Sequence, residues 1–229
     1  MNLPNAVTAA RIAVTPLIAW LPLAPSSALR FTAFALFVVA AVTDYVDGQL
    51  ARSRKQETDL GRLLDPLADK LLLVATILPM YLLMRPTAQT TEPWPMKALE
   101  NVLPFRTPFG DVPLSWWIVA IVLGRELFMT VFRQAAARRG VVISAIGPAK
   151  WKTGFQSVWV GSAYFWFFAA TVAATHRWDT PAWTAFAYFN GIVGVATMVG
   201  ALALTLYSLV LYLRTYGRVF TRTPVRGRS

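Results

Sequence analysis

Residues 44–69 read DYVDGQLARSRKQETDLGRLLDPLAD and carry six of the eleven acidic residues of the chain. The stretch lies between apolar runs in a sequence that is 56% hydrophobic. Carboxylates in apolar helices are costly unless they are neutralised, and they commonly mark functional positions. We therefore expect the chemistry of this protein to lie in this stretch.

The rest of the chain has the composition of a polytopic membrane protein. It has 229 residues and a mean hydropathy of +0.49, and runs of about 20 apolar residues, enough to cross a bilayer, recur along it. We predict an all-α integral membrane protein with six transmembrane helices and an amphipathic N-terminal segment. The expected organisation is one membrane domain at residues 1–214 and a basic C-terminal tail at residues 215–229. Predicted helices cover residues 5–23, 29–52, 60–84, 115–138, 150–174 and 184–214, and the proline-rich segment 85–113 is expected to be an extramembrane loop.

The net charge of +11 indicates the partners of the chain and its orientation. The cations lie at the ends of the apolar runs and in the tail, so anionic membrane lipids are the expected partner and nucleic acid is not. Most loop cations fall on one side if both termini and the acidic stretch are cytoplasmic. We expect a protein of the bacterial inner membrane with its active site on that side.

Cysteine is absent, which excludes thiolate nucleophiles and zinc–thiolate sites.

Four acidic residues of the stretch fall on two helix faces. Asp44 and Asp47 are three residues apart, and Asp65 and Asp69 are four residues apart, so each pair shares a face of its helix. If the two faces meet, four carboxylates share one pocket close to the lipid headgroups. Oxygen ligands favour Mg²⁺, Mn²⁺ or Ca²⁺. The alternative is that these acids pair with neighbouring cations in a solvated loop, which is what we expect for Glu57 and Asp59. The cations considered for such pairs are Arg52, Arg54, Lys55, Arg62 and Lys70.

The same stretch has the pattern D-x2-D-G-x2-A-R-x8-G-x3-D-x3-D. The fixed positions are filled by Asp44, Asp47, Gly48, Ala51, Arg52, Gly61, Asp65 and Asp69. The pattern closely resembles the signature of the CDP-alcohol phosphatidyltransferases. Members of that family are six-helix membrane enzymes, commonly homodimers, that transfer a phosphatidyl or similar group from a CDP-linked donor to an alcohol and release CMP.

The resemblance implies a role for each of these positions. A two-metal site for Mg²⁺ or Mn²⁺ would be held by Asp44, Asp47, Asp65 and Asp69, and Asp69 would also act as the general base on the acceptor hydroxyl. The CDP part of the donor would lie beside Gly48, Ala51, Arg52 and Gly61. The implied reaction is a metal-assisted direct displacement at phosphorus, without a covalent enzyme intermediate.

Three segments outside the signature suggest the acceptor. LPNAVTAARI, GRELFMTVFR and AKWKTGFQ resemble the phosphatidylglycerophosphate synthase branch of the family, whose donor is CDP-diacylglycerol and whose acceptor is glycerol 3-phosphate. A phosphorylated acceptor needs cations. The candidates for its phosphate are Arg125, Arg133, Lys150 and Lys152, and topology alone also explains the last three. Arg125 is not expected to pair with Glu126, because adjacent residues of a helix point apart.

Two other hypotheses are compatible with the sequence. A sister enzyme of the family would use inositol phosphate, serine or phosphatidylglycerol as acceptor. A divalent-cation or proton-coupled transporter would also place acids within its helices, but it leaves Gly48, Ala51, Arg52 and Gly61 unexplained.

Overall fold

The computed structural model describes residues 3–54, 59–86, 90–141, 143 and 147–216, without the side chains of residues 3, 4, 45–54, 59–63, 65 and 148–150. Within these residues the chain forms six α-helices and one small β-hairpin. The helices are α1 (Leu3–Trp20), α2 (Ser27–Arg54), α3 (Asp59–Met84), α4 (Trp116–Ala137), α5 (Gly147–Thr175) and α6 (Pro181–Tyr216).

The predicted all-α membrane architecture is confirmed. Among the described residues, five helical segments are long and apolar enough to cross a membrane, namely Asn5–Leu23, Ser27–Asp44, Pro66–Met84, Trp151–Thr175 and Pro181–Tyr216. At about 1.5 Å per residue, the 22 residues of α4 also reach across a bilayer, but this helix carries Arg125, Glu126 and Arg133. Helix α6 continues two residues past the expected end of the membrane domain, to Tyr216. The rest of the predicted tail lies outside the described residues.

Helix α5 lies at the centre of the bundle and supplies its aromatic core. Trp159, Tyr164, Trp166 and Phe167 are fully buried there, and α5 packs against both α2 and α6. The Tyr164 hydroxyl lies 3.2 Å from the Ile18 carbonyl oxygen and 3.3 Å from the Ala75 carbonyl oxygen. This side chain therefore joins α1 and α3 to the central helix.

The proline-rich connection between α3 and α4 is folded against the bundle, which its sequence did not predict. It contains a short 3-10 helix, Met96–Glu100, and an antiparallel hairpin of β1 (Phe105–Thr107) and β2 (Gly110–Val112). Strand β1 lies on α6 where glycines leave room for it: a Cβ at Gly191 would be 1.9 Å from the Arg106 carbonyl oxygen. The Trp166 indole nitrogen donates to the Pro104 carbonyl oxygen at 3.0 Å and fixes the connection from the other side.

One buried arginine organises the same end of the bundle. Arg30, near the start of α2, is fully buried. Its Nε donates to the Pro22 carbonyl oxygen at 3.0 Å and its Nη1 donates to the Ala98 carbonyl oxygen at 3.2 Å. Hydrogen bonds to Asn101 and Thr171 complete the set, so one side chain ties α2 to the connection and to α5.

Candidate active site

The start of α1, the end of α2 and the start of α3 meet at one end of the bundle, here called the acidic end. Arg11 of α1 lies between the two acidic helices: its Nη1 is 2.5 Å from Asp44 Oδ1 and 3.7 Å from Asp69 Oδ1. Both carboxylates thus converge on a single guanidinium nitrogen. Asp44 of α2 and Asp69 of α3 are therefore brought together through α1, which packs against both helices.

The three charged groups differ in their exposure to the surface. The Arg11 side chain is 3% exposed, whereas the side chains of Asp44 and Asp69 are 46% and 60% exposed. The guanidinium therefore supports the carboxylates from inside the bundle, and their outer sides remain accessible. A charge of +1 beneath two carboxylates attracts both of them and offsets their mutual repulsion.

The other signature residues are placed by their backbones alone. Asp47, Gly48, Ala51 and Arg52 lie in the last turns of α2, and Gly61 and Asp65 lie in the first turns of α3. Their side-chain contacts fall outside the described part of the structure. The same is true of Lys150, while Lys55 and Glu57 lie in the segment 55–58, which is not described.

Sequence reasoning did not identify Arg11 as the partner of the acids. The available signal was a polar face on α1: Asn5, Thr8, Arg11 and Thr15 are separated by three or four residues, and all four are buried. The Thr15 hydroxyl donates to the Arg11 carbonyl oxygen at 2.7 Å, so this polar residue is satisfied within the helix. The structure places Arg11 beneath the two carboxylates.

The donor set suits a hard divalent cation. Asp44 and Asp69 supply only oxygen atoms, and they already converge on a positive charge. Mg²⁺ and Mn²⁺ prefer carboxylate oxygens to other protein ligands. Within the described side chains, no group of three acidic or histidine residues forms a complete metal site. Asp47 and Asp65, the other two expected ligands, are among the side chains that are not described.

A second charged cluster, here called the Glu126 cluster, lies between α4 and α5 and consists of Arg125, Glu126 and Lys152. Glu126 accepts hydrogen bonds from Arg125 Nη1, at 2.8 Å, and from the ammonium of Lys152. Arg125 and Lys152 are both buried. Because Thr171 of α5 contacts Arg30 at the opposite end of the bundle, the first turns of α5, which carry Lys152, lie towards the acidic end.

The expectation that Arg125 would not pair with Glu126 is wrong. Their Cβ atoms do point in different directions on the helix, but both side chains are long enough to bend towards the same neighbours. Lys152 attracts the Glu126 carboxylate from α5, and Ser208 of α6 accepts a hydrogen bond from Arg125 Nη2 at 2.9 Å. These contacts hold the two charged groups together despite their adjacent positions.

Helix α6 orients the arginines of α4. Ser208 and Tyr212 are four residues apart on one face of α6 and hold Arg125 and Arg133, respectively. The Tyr212 hydroxyl accepts a hydrogen bond from Arg133 Nη2 at 3.2 Å, and the guanidinium also lies 5.5 Å from the centre of the tyrosine ring. Sequence reasoning missed both partners, because a serine and a tyrosine in an apolar helix carry no distinctive signal.

Two cavities lie elsewhere in the described part of the bundle. One, of about 430 Å³, is an apolar groove between α1 and α3. The other, of about 730 Å³, lies at the end opposite to the acidic cluster and is lined by Arg85, Lys97, Glu100 and Asp111 among others. Lys97 and Asp111 already form an ion pair at 2.9 Å, and the exposed His176 lies in the nearby turn between α5 and α6.

The sequence model of the CDP-alcohol phosphatidyltransferase family matches residues 1–207 of the chain. The match includes the acidic signature, Arg11 and the Glu126 cluster. The chain belongs to the CDP-alcohol phosphatidyltransferase family, and the resemblance inferred from the signature is confirmed.

Curated relatives agree with this assignment. The chain is 33% identical over 163 residues to a probable phosphatidylglycerophosphate synthase of Mycobacterium tuberculosis, covering 70% of this chain and 64% of that protein. It is 30% identical over 220 residues to a CDP-diacylglycerol–glycerol-3-phosphate 3-phosphatidyltransferase of Shigella flexneri, covering 93% of both chains. It is also 29% identical over 230 residues to a cardiolipin synthase (CMP-forming) of Oryza sativa, covering 97% of this chain and 59% of that protein. The match thus spans less than two thirds of the mycobacterial and rice proteins.

Proposed function

We propose that this protein transfers the phosphatidyl group of CDP-diacylglycerol to glycerol 3-phosphate, giving phosphatidylglycerophosphate and CMP. The observation that carries the proposal is the convergence of Asp44 and Asp69, two signature residues, on the buried Arg11. Family membership and the names of the bacterial relatives support the reaction class and the acceptor.

The donor is held at the acidic end. Asp44, Asp47, Asp65 and Asp69 would hold two divalent cations, Mg²⁺ or Mn²⁺, which when bound neutralise pyrophosphate charge and make CMP a better leaving group. Gly48, Ala51, Arg52 and Gly61 lie beside the cytidine nucleotide. The absence of side chains at the two glycines allows the nucleotide to approach the helix backbones closely.

Asp69 is the general base in this account. Its carboxylate accepts the proton of the acceptor hydroxyl as that oxygen bonds to the phosphorus carrying diacylglycerol. The bond between this phosphorus and the CMP oxygen breaks, and its electron pair leaves with CMP. The 60% exposure of the Asp69 side chain supports this role, because the acceptor must reach the carboxylate from the cytoplasm.

The Glu126 cluster recognises the acceptor phosphate. Arg125 and Lys152 place two cations on one carboxylate, so the cluster retains positive charge for a dianionic ligand. Arg133, which Tyr212 holds, and Lys150, at the start of α5, would add further positive charge. Within the described part of the chain, no group accepts a hydrogen bond from the buried Arg125 Nε. That donor is therefore available to a phosphate oxygen.

The protein acts in the bacterial inner membrane, with both termini and the acidic end on the cytoplasmic side, as the positive-inside rule favours. Residues 1–214 form the catalytic membrane domain, and the basic tail at 215–229 lies on anionic headgroups. The active form is a homodimer, as is common in the family.

The proposal is tested by CMP release from CDP-diacylglycerol in detergent micelles containing Mg²⁺ or Mn²⁺. The wild type should release CMP only when glycerol 3-phosphate is present, and Asp69→Asn should abolish the release. Asp111→Asn is the matched control, because it removes a carboxylate at the opposite end of the bundle. Folded wild-type protein that releases no CMP with any acceptor would refute the proposal. Ion flux in liposomes would then favour a transporter.

A further inference from the structure

We propose that the apolar groove between α1 and α3 holds one acyl chain of the CDP-diacylglycerol donor. The groove has a volume of about 430 Å³. On α1 it begins at Thr15, one turn after Arg11, and on α3 it begins at Leu71, two residues after Asp69. The groove therefore starts where the charged site ends, and the inference rests on the proposed function of that site.

The dimensions of the groove fit a lipid tail. Along α3 it extends from Leu71 to Leu82, which is about 16 Å at 1.5 Å per residue. This length is about half of the ~30 Å hydrocarbon core of a bilayer, the depth of a single leaflet. A lipid whose phosphate lies beside Asp69 can thus place one tail along the groove without leaving its leaflet.

Small side chains and prolines create the space. Ala19 on α1 and Ala75 on α3 face the groove without filling it, and Pro79 lies in the wall one turn beyond Ala75. Proline has no N–H group, so the Ala75 carbonyl lacks its helical donor. The Tyr164 hydroxyl lies 3.3 Å from this carbonyl oxygen and 3.2 Å from that of Ile18. Tyr164 thereby fixes the two walls to α5, and the groove is held open from behind.

The groove opens laterally towards lipid. Leu78, halfway along it, has 45% of its surface exposed. Because bilayer tails are as apolar as the groove, the occupant gains little hydrophobic free energy on entering. The benefit is positional: a tail held in the groove fixes the glycerol backbone, and with it the phosphorus, in front of Asp69.

A chain-length experiment tests the assignment. Leu78→Trp blocks the groove about 13 Å beyond Asp69 along the helix, where a dibutyryl donor does not reach and a dioleoyl donor does. We expect kcat/KM to fall about tenfold for the dioleoyl donor and to change less than twofold for the dibutyryl donor. Leu206→Trp on α6, where the leucine is 43% exposed and does not line the groove, is the matched control and should change neither value.

A second readout does not depend on turnover. CDP-diacylglycerol with a photoreactive group on one acyl chain should label peptides containing residues 15–23 or 71–82 in the wild type, and Leu78→Trp should reduce that labelling. An equal effect of Leu78→Trp on both donors, or labelling spread evenly over all helices, would overturn the inference. If the wild type is labelled in the groove but releases no CMP from either donor, the proposed reaction is refuted and the lipid site is supported.

Discussion

Arg11 Nη1 lies 2.5 Å from Asp44 Oδ1, and this contact joins the first helix to the acidic signature. The same nitrogen lies 3.7 Å from Asp69 Oδ1, so one buried cation supports two carboxylates that belong to different helices. Arg11 touches the proposed metal ligand and the proposed base. It is therefore a positioning residue for both.

Replacement of Arg11 by Gln should lower kcat by about 100-fold, because a displacement of the base by about 1 Å is enough for such a loss. Arg11→Lys keeps the charge, but a lysine ammonium cannot contact two carboxylates as a guanidinium does. We therefore expect a kcat between that of the wild type and that of Arg11→Gln. Activity is measured as CMP release. The affinity of Arg11→Gln for Mn²⁺, measured by electron paramagnetic resonance, should also differ from that of the wild type.

Lys97→Gln is the control for this prediction, because it removes one positive charge at the opposite end of the bundle. It should change neither CMP release nor Mn²⁺ binding. If Arg11→Gln matched the wild type in both measurements, Arg11 would be only a structural residue of α1.

Glu126→Gln should raise the KM for glycerol 3-phosphate about tenfold and leave the KM for CDP-diacylglycerol unchanged. The carboxylate holds Arg125 and Lys152 together, and without its charge two buried cations repel each other. Initial rates at varied concentrations of each substrate separate the two KM values. Equal changes in both values would indicate general damage to the bundle.

Arg30→Met should lower the free energy of unfolding by about 2–4 kcal/mol. The substitution removes the donors for the carbonyl oxygens of Pro22 and Ala98, which are buried with Arg30. Thermal unfolding in detergent should show a lower midpoint, while CMP release well below that midpoint stays close to the wild-type rate. A midpoint equal to that of the wild type would mean that other groups satisfy these carbonyls.

Gly191→Ala should destabilise the protein by about 1–3 kcal/mol, because the new Cβ would lie 1.9 Å from the Arg106 carbonyl oxygen and force β1 away from α6. Gly154→Ala is the control in α5, where nothing lies within 4 Å of an added Cβ. That substitution should be neutral or slightly stabilising, since alanine favours helix over glycine. Unfolding midpoints in the same detergent compare the two variants.

The helices were predictable from sequence because apolar runs of membrane length have few alternative structures. All six appear within a few residues of their expected ends, and Asp44 and Asp69, which the spacing of the acids singled out, both approach Arg11 of α1. The hairpin at residues 105–112 was not predictable. Its two short strands are stabilised by packing on Gly191 and Gly194 of a helix about 80 residues away in sequence.

The charge partners also depend on tertiary structure. Neither the pairing of Arg11 with Asp44 nor that of Lys152 with Glu126 follows from local spacing, since each joins two different helices. The rule that adjacent helical residues point apart gave the wrong result for Arg125 and Glu126 for the same reason. Contacts from α5 and α6 outweighed the local preference.

The most direct test of the central claim is the identity of the lipid formed from CDP-diacylglycerol when acceptors are offered one at a time. The panel contains glycerol 3-phosphate, glycerol, serine, inositol phosphate and phosphatidylglycerol, with CMP measured in parallel. We expect phosphatidylglycerophosphate and an equal amount of CMP with glycerol 3-phosphate, and no product with glycerol, which lacks the phosphate bound by the Glu126 cluster. Product formed with phosphatidylglycerol or another acceptor, and none with glycerol 3-phosphate, would refute the proposed acceptor.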